Sequence, residues 1–193
     1  MNRRLAGALI AAILLLGGVA LFSIARQPGG GGSEQPPPTG LAVGTVGEAV
    51  PLTQTLYFPD ELGTLTPVER PLAPAASAEQ RARVLLEAVL AGPVEPGLVP
   101  PLPGGTTLGA IHLSPGAVLY VDLLSSEHPR PPAQGSLEEM LTVYSLVDTV
   151  LLNVPEIEAM VLLWNGRQPE AFAGHVDTSL PLRADRDLIA ARR

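Results

Sequence analysis

His175 and Asp177 stand two residues apart near the end of the 193-residue chain, and with Asp122 they are the side chains whose types suit proton transfer or metal ligation. On a strand, residues two apart share a face, so His175 and Asp177 would offer two donors to one metal ion. A closed site needs more, and His112 and His128, which could complete it, lie in other segments. With no cysteine and no His-x-x-x-His helix the pattern is generic, and the plainer reading is a strand-end histidine beside a surface carboxylate. Asp148 is a further candidate carboxylate. A general acid or base needs a partner within hydrogen-bond reach, and the sequence offers neither Asp122 nor Asp148 a local pair. The expected roles are a turn or cap hydrogen bond for Asp122 and a solvated helix position for Asp148, four residues after Tyr144.

Composition removes other chemistries. All 12 basic residues are arginine, so a lysine-dependent phosphate loop is excluded, and without cysteine there is neither a thiolate nucleophile nor a disulfide. The G-x-S-x-G elbow is absent, and the glycine run at 29–32 reads as linker. No catalytic residue, cofactor or metal is therefore expected. Tyr57 and Trp164 remain as surface contacts for a glycan, able to stack on sugar rings where exposed; the plainer reading puts an aromatic at a strand end partly in the core.

The elements that must position these residues follow from patterning. Residues 53–58 (TQTLYF) form a first strand ending at Pro59-Asp60, and 68–72 extend along an edge where Pro71 cannot donate to a ladder. Ser77 and Gln80 have capping-box spacing ahead of a stripe of Val84, Leu85, Ala88 and Val89, predicting a helix over about 78–91 that stops at Gly92-Pro93. The stretch 94–106 is crowded with proline and glycine and reads as irregular. Strands at 108–113 and 118–123 flank Ser114-Pro115-Gly116-Ala117, which fits a type II hairpin turn, and Leu119, Val121 and Leu123 should face inward. After another proline-rich loop, Ser136 is expected to cap a helix with Leu137, Met140, Leu141, Tyr144, Val147 and Leu151 on one stripe. A strand at 157–164 then meets Asn165-Gly166, a type I′ hairpin dipeptide, and the chain should return through 171–176. The fold class is α+β: a two-layer sandwich in which two amphipathic helices cover one small mixed sheet.

Ahead of this domain, residues 5–25 carry no charge and suffice to cross a hydrocarbon core of about 30 Å. Arg3 and Arg4 precede the run and only Arg26 follows it closely, which places the N-terminus in the cytoplasm and the rest outside. Ser23-Ile24-Ala25 would also serve a signal peptidase, but the run is longer than the ~7–15 residues of a signal-peptide core, favouring an uncleaved single-pass anchor. The organisation expected is an anchor over 1–26, a Gly/Pro-rich linker over 27–48, a domain over 49–182 and a polar tail or short helix over 183–193. Outside the first 26 residues, 9 arginines face 19 acidic residues, so nucleic acid is not the expected partner.

The strings met along the domain are Leu56-Tyr57-Phe58-Pro59-Asp60, Arg70, Leu90-Ala91-Gly92-Pro93, Pro103-Gly104-Gly105-Thr106 and Val121-Asp122-Leu123. Downstream stand the helical run 143–150, Val154-Pro155, Leu162-Leu163-Trp164-Asn165-Gly166 and Gly174-His175-Val176-Asp177. In this order they resemble the GerMN domain, the sporulation and spore-germination domain of bacterial envelope proteins. The resemblance implies a fold like that of ring-building modules and a structural or interaction role without chemistry. Two departures stand out: Asp148 lies where the family commonly has asparagine, and the chain carries neither a lipoprotein cysteine nor a second β-rich domain. The expectation is thus a membrane-tethered, extracytoplasmic scaffold that binds envelope proteins or associates with itself by edge-to-edge contact. The alternatives are a peptidoglycan-binding module using Tyr57 and Trp164, and an envelope hydrolase using His175, Asp177 and Asp122.

Overall fold

A computed structural model describes residues 50–191. The expected anchor and linker lie outside the described residues, among which no helix is long and apolar enough to cross a membrane. The elements run β1 (Leu52–Pro59), β2 (Leu65–Leu72), α1 (Ala78–Leu90), β3 (Thr107–Leu113), β4 (Val118–Leu124), α2 (Ser136–Asn153) and β5 (Ala159–Trp164), with a short 3-10 turn at Arg186–Leu188.

The α+β class stands, but the single sheet does not. β1 and β2 form an antiparallel pair of their own, while β3, β4 and β5 form a three-stranded mixed sheet in that order. The cause lies in α2. Ser145, Thr149 and Asn153 recur every four residues along it, and all three bond the backbone of β1. Ser145 donates to the Tyr57 carbonyl (2.6 Å), Thr149 Oγ1 accepts from the Tyr57 amide (3.0 Å), and Asn153 both accepts from the Thr55 amide (3.1 Å) and donates to its carbonyl (2.7 Å). A polar row on a helix thus takes the place of a neighbouring strand, which satisfies the edge of β1 and ends the sheet there. Replacing Asn153 with leucine removes both bonds to Thr55 and should cost about 2 kcal/mol by urea denaturation, whereas aspartate, which keeps the acceptor, should cost less.

For the same reason α2 is not amphipathic. Leu141, Val143, Leu146, Val147 and Val150 are buried, but so are Thr142, Ser145, Asp148 and Thr149, because the helix packs against β1, β5 and α1 together. Its first residue is Ser136 and its cap is Gly135, whose N–H donates to Glu138 (2.9 Å), so the expected Ser136 cap is displaced by one residue. In α1 the capping expectation holds: Ser77 Oγ accepts from the Gln80 amide, and Gly92 leaves the helix at φ +83°. Its buried stripe is Ala82, Leu85, Leu86 and Val89.

The β3–β4 hairpin is present, with Leu119, Val121 and Leu123 fully buried and Tyr120 exposed. Its turn is not type II: the Ala117 amide bonds the Ser114 carbonyl while Ala117, and not Gly116, takes the left-handed conformation at φ 58°. The expected second hairpin also stops short. Asn165 and Gly166 have the paired positive φ values of a type I′ turn, and Trp164 pairs with Arg167, but the ladder ends there. Pro169 lacks an N–H two residues later, and β5 pairs parallel to β4, with α2 as the crossover. One apolar core joins both sheets and both helices, through Leu56, Phe58, Leu86, Leu123, Leu146 and Met160 among others.

Residues 182–190 are not a free polar tail. Leu182 exchanges two backbone bonds with Met160 on the edge of β5 (2.7 and 2.8 Å), Ile189 bridges Leu65, and the Ala190 amide donates to the Leu65 carbonyl (2.9 Å). Between these points Asp148, from inside α2, accepts the Asp185 amide (2.9 Å). The segment is a strap tied to both sheets, and the domain extends through residue 190.

Candidate functional site

The residues singled out for chemistry are not brought together. Asp122 accepts the Gly166 amide and steadies the turn after β5 (2.9 Å), as a turn bond. Asp177 accepts from the amide and hydroxyl of Ser179 (2.9 and 2.6 Å), which hold its carboxyl below the usual aspartate range. His175 leaves that pair altogether. It shares no strand face with Asp177, because residues 170–178 are a loop, and its Nδ1 lies 2.8 Å from Glu139. Among the described residues no three His, Asp or Glu side chains converge on a point where a metal ion would fit. Asp148 is not solvated: it is fully buried, and burial pushes its carboxyl up to about 7, with the charge of Asp185 adding to the rise and the Asp185 amide and Arg186 opposing it.

Sequence reading missed Glu139. This carboxylate is fully buried and accepts from the amides of Ala173 (2.8 Å), His175 (3.0 Å) and Val176 (2.8 Å), with His175 Nδ1 as a fourth contact. Gly174, at φ +125°, gives the loop the curl that aims these donors inward. Burial alone would raise the Glu139 pKa, but these donors outweigh it and hold the group ionised, below the ordinary glutamate range. Its place beside Glu138 hid it: an acidic pair in the first turn of a helix reads as solvated.

Trp164 is 3 % exposed, its indole N–H donates to the His128 carbonyl (2.8 Å) and its ring meets Phe172 edge-on at 5.9 Å. It is core, and no sugar can stack on it. Tyr57 is half-buried on β1 beside Pro67, Arg186 and Ile189, so the two aromatics do not form one platform.

A concavity among the described residues lies elsewhere. A cleft of about 790 Å³ opens between the β1–β2 turn, the proline-rich loop 99–104 and the start of α2. Its volume is in the range that accepts a small molecule or several residues of a peptide. Each wall is pinned. Asp60 accepts the amides of Leu62 and Thr64 and the hydroxyls of Thr64 and Thr66, which shape the turn and, against the upward push of burial, lower its own pKa. The Val99 amide donates to the Pro59 carbonyl (2.9 Å), and Thr142 donates from α2 to the Pro101 carbonyl (2.8 Å). Arg70 anchors the loop's start, donating to the Gly92 carbonyl and pairing with Glu95, both at 3.0 Å. Three large apolar side chains stand in the open here: Leu62 (78 % exposed), Val99 (48 %) and Leu137 (47 %). Leu137, expected in the core stripe, turns toward Gly63 instead, where an added Cβ would come within 3.0 Å of it.

Several strings that carry the family resemblance are therefore pins and not chemistry: Pro59-Asp60 and Arg70 fix the groove, Asn165-Gly166 the turn, and Gly174-His175-Val176 the loop on Glu139. The Germane family model, sporulation and spore germination, matches residues 55–170, more than half of the chain. The chain is similar in fold to the tandem GerMN domains of the sporulation protein GerM from Bacillus subtilis, at 19 % identity and a TM-score of 0.53, covering 69 % of this chain and 46 % of that one. It thus spans less than half the length of the tandem structure. Against the first GerMN domain of the same protein the identity is 20 % and the TM-score 0.52, covering 70 % of this chain and 98 % of the other. Compared with curated proteins, the chain matches none. On the extent of the family match, the chain belongs to the Germane family of sporulation and spore-germination proteins, and its domain is GerMN-like.

Proposed function

We propose that this protein is a non-catalytic docking module of the bacterial envelope, held at the outer face of the cytoplasmic membrane by residues 5–25 and engaging a partner protein through the groove beside α2. The groove carries the reading: its walls are cross-pinned before any ligand arrives, which lowers the ordering cost of binding, and it leaves Leu62, Val99 and Leu137 exposed together. The carboxylates are engaged in holding loops, Asp60, Asp122, Glu139 and Asp177 among them, which fits a scaffold better than a hydrolase. Tethering would raise the effective concentration of the module near other envelope proteins.

The strap and the side-chain rows also bear on how assembly would occur. The outer edge of β1 is taken by α2, that of β5 meets Leu182, and β3 receives Glu79 and Arg83 from α1 at the Leu113 amide and the Gly109 carbonyl. On the outer edge of β2, Pro67 and Pro71 have no N–H and Ala190 takes the Leu65 carbonyl, so strand-to-strand association is not the favoured route, and the groove is. The wall-binding alternative loses Trp164 to the core and would rest on Tyr57.

Native-state sizing of the full chain extracted in mild detergent tests this reading. Wild type should run in an assembly larger than the chain alone, and the Leu62→Arg/Leu137→Arg variant, altered only at exposed positions, should fall to the size of the chain in its micelle. Wild type at that smaller size, or a variant assembly of unchanged size, would count against docking through the groove.

A further inference from the structure

The groove lining defines the chemistry of what it can hold. Five of its residues, Pro59, Pro100, Pro101, Pro103 and Pro132, have no backbone N–H and present only carbonyls. Its acidic members are Asp60, Glu61 and Glu138, and no arginine or histidine lines it. The Asp60 carboxylate is occupied by its turn, but its charge remains, and Glu61 and Glu138 are exposed at the rim. Apart from the first-turn amides of α2 at Leu137 and Glu138 and the side-chain amide of Gln134, the site is therefore poor in donors, and it is rich in acceptors and carries three carboxylates. A phosphate, a carboxylate or an acidic glycan would find few N–H groups and a repelling field. The apolar part is prolyl and aliphatic, with Leu62, Val99, Leu102, Leu137 and Leu141 and no aromatic ring, so it can seat branched hydrocarbon but cannot stack a base or a sugar.

We propose that the groove receives an extended segment of a partner protein bearing aliphatic side chains flanked by arginine or lysine. Aliphatic groups fill the space among Leu62, Leu137 and Leu141, and the flanking cations meet Glu61, Glu138 and the unpaired lobes of the prolyl carbonyls. Donors on the ligand thus answer acceptors on the wall, the pairing that leaves the fewest buried polar groups unmatched. This inference rests on the docking reading above and adds the class of partner.

Fluorescence anisotropy with the full chain and three labelled peptides tests it: Arg-Leu-Ala-Leu-Arg, Glu-Leu-Ala-Leu-Glu and Arg-Ser-Ala-Ser-Arg. The first should bind at least about tenfold more tightly than either of the others, and its advantage over the Glu-flanked peptide should shrink as salt screens the rim. Glu61→Arg, an exposed change, should reduce or reverse the preference for the Arg-flanked peptide, and Leu62→Arg should abolish binding of it. Equal binding of the Glu-flanked peptide would overturn the cationic requirement, equal binding of the Ser peptide the aliphatic one, and binding of none the whole proposal. If the peptides fail while the detergent-extracted assembly still depends on Leu62 and Leu137, only the partner's chemistry is wrong; if that assembly is also independent of them, the docking reading falls too.

Discussion

Replacing Asp148 with asparagine should make the domain more stable than wild type at pH 8, by up to about 4 kcal/mol, and should flatten its pH dependence between pH 4 and 7. The buried carboxyl titrates near 7 in the folded domain against an ordinary 3.8, because α2 carries it into the interior where only one oxygen finds a donor, the Asp185 amide. A raised acid pKa means that the folded state holds its proton more tightly than the unfolded chain. The stability this confers is complete below the unfolded value, lost as pH rises toward the folded one, and absent above it. Tyr144, Asp185 and Arg186 are the charged or titratable neighbours, and the same burial, with Asp185 and Asp148, raises the Tyr144 pKa. Asparagine resembles the protonated acid, so the variant should match wild type near pH 4 and exceed it above pH 7. Urea midpoints at pH 4.5, 6, 7 and 8 check this; parallel curves for the two proteins would mean that Asp148 does not titrate in the interior.

Glu139 should show the opposite sign. Its carboxylate is held ionised by Ala173, His175 and Val176, so its contribution is present above the ordinary glutamate value of 4.5 and lost as pH falls through the lowered folded value. Glu139→Ala strands three amides around an empty space and should cost about 3–5 kcal/mol, while Glu139→Gln, which keeps one acceptor oxygen and the shape, should cost roughly half as much. Hydrogen exchange localises the effect: in the glutamine variant the amides of Ala173, His175 and Val176 should lose protection while core positions on β4, such as Val121 and Leu123, keep theirs. Unchanged exchange at residues 173–176 would show that the loop stands without Glu139.

How far the sequence could be read depended on the range of the interactions involved. α1, the β3–β4 hairpin and the Asn165-Gly166 turn were legible because caps, alternation and turn residues act within a few positions. What escaped was set by partners far along the chain. Ser145, Thr149 and Asn153 look like polar interruptions of an apolar helix until β1, about ninety residues away, is seen to need donors and acceptors there. Asp148 reads as a solvated acid, and Glu139 draws no notice, for the same reason, since the amides they accept come from residues 173–185. The parallel pairing of β4 with β5 was hidden behind a hairpin dipeptide that makes its turn and leads nowhere. Trp164 was placed correctly at the end of its strand, and its burial under Phe172 was the plainer of the two readings offered for it.

The groove was the least legible feature. Its parts are a turn, an irregular proline-rich stretch and a helix start, each unremarked alone, and they meet only through the bonds Val99–Pro59 and Thr142–Pro101. Proline there serves twice, stiffening the wall and stripping it of donors.

Site-specific photo-cross-linking in living cells addresses the docking claim most directly. A benzophenone amino acid placed at Leu62 or at Leu137 should yield a discrete adduct with a partner protein, and the same group at Leu180, which is exposed but does not line the groove, should yield none. Adducts at Leu180 with nothing at Leu62 and Leu137 would contradict the account.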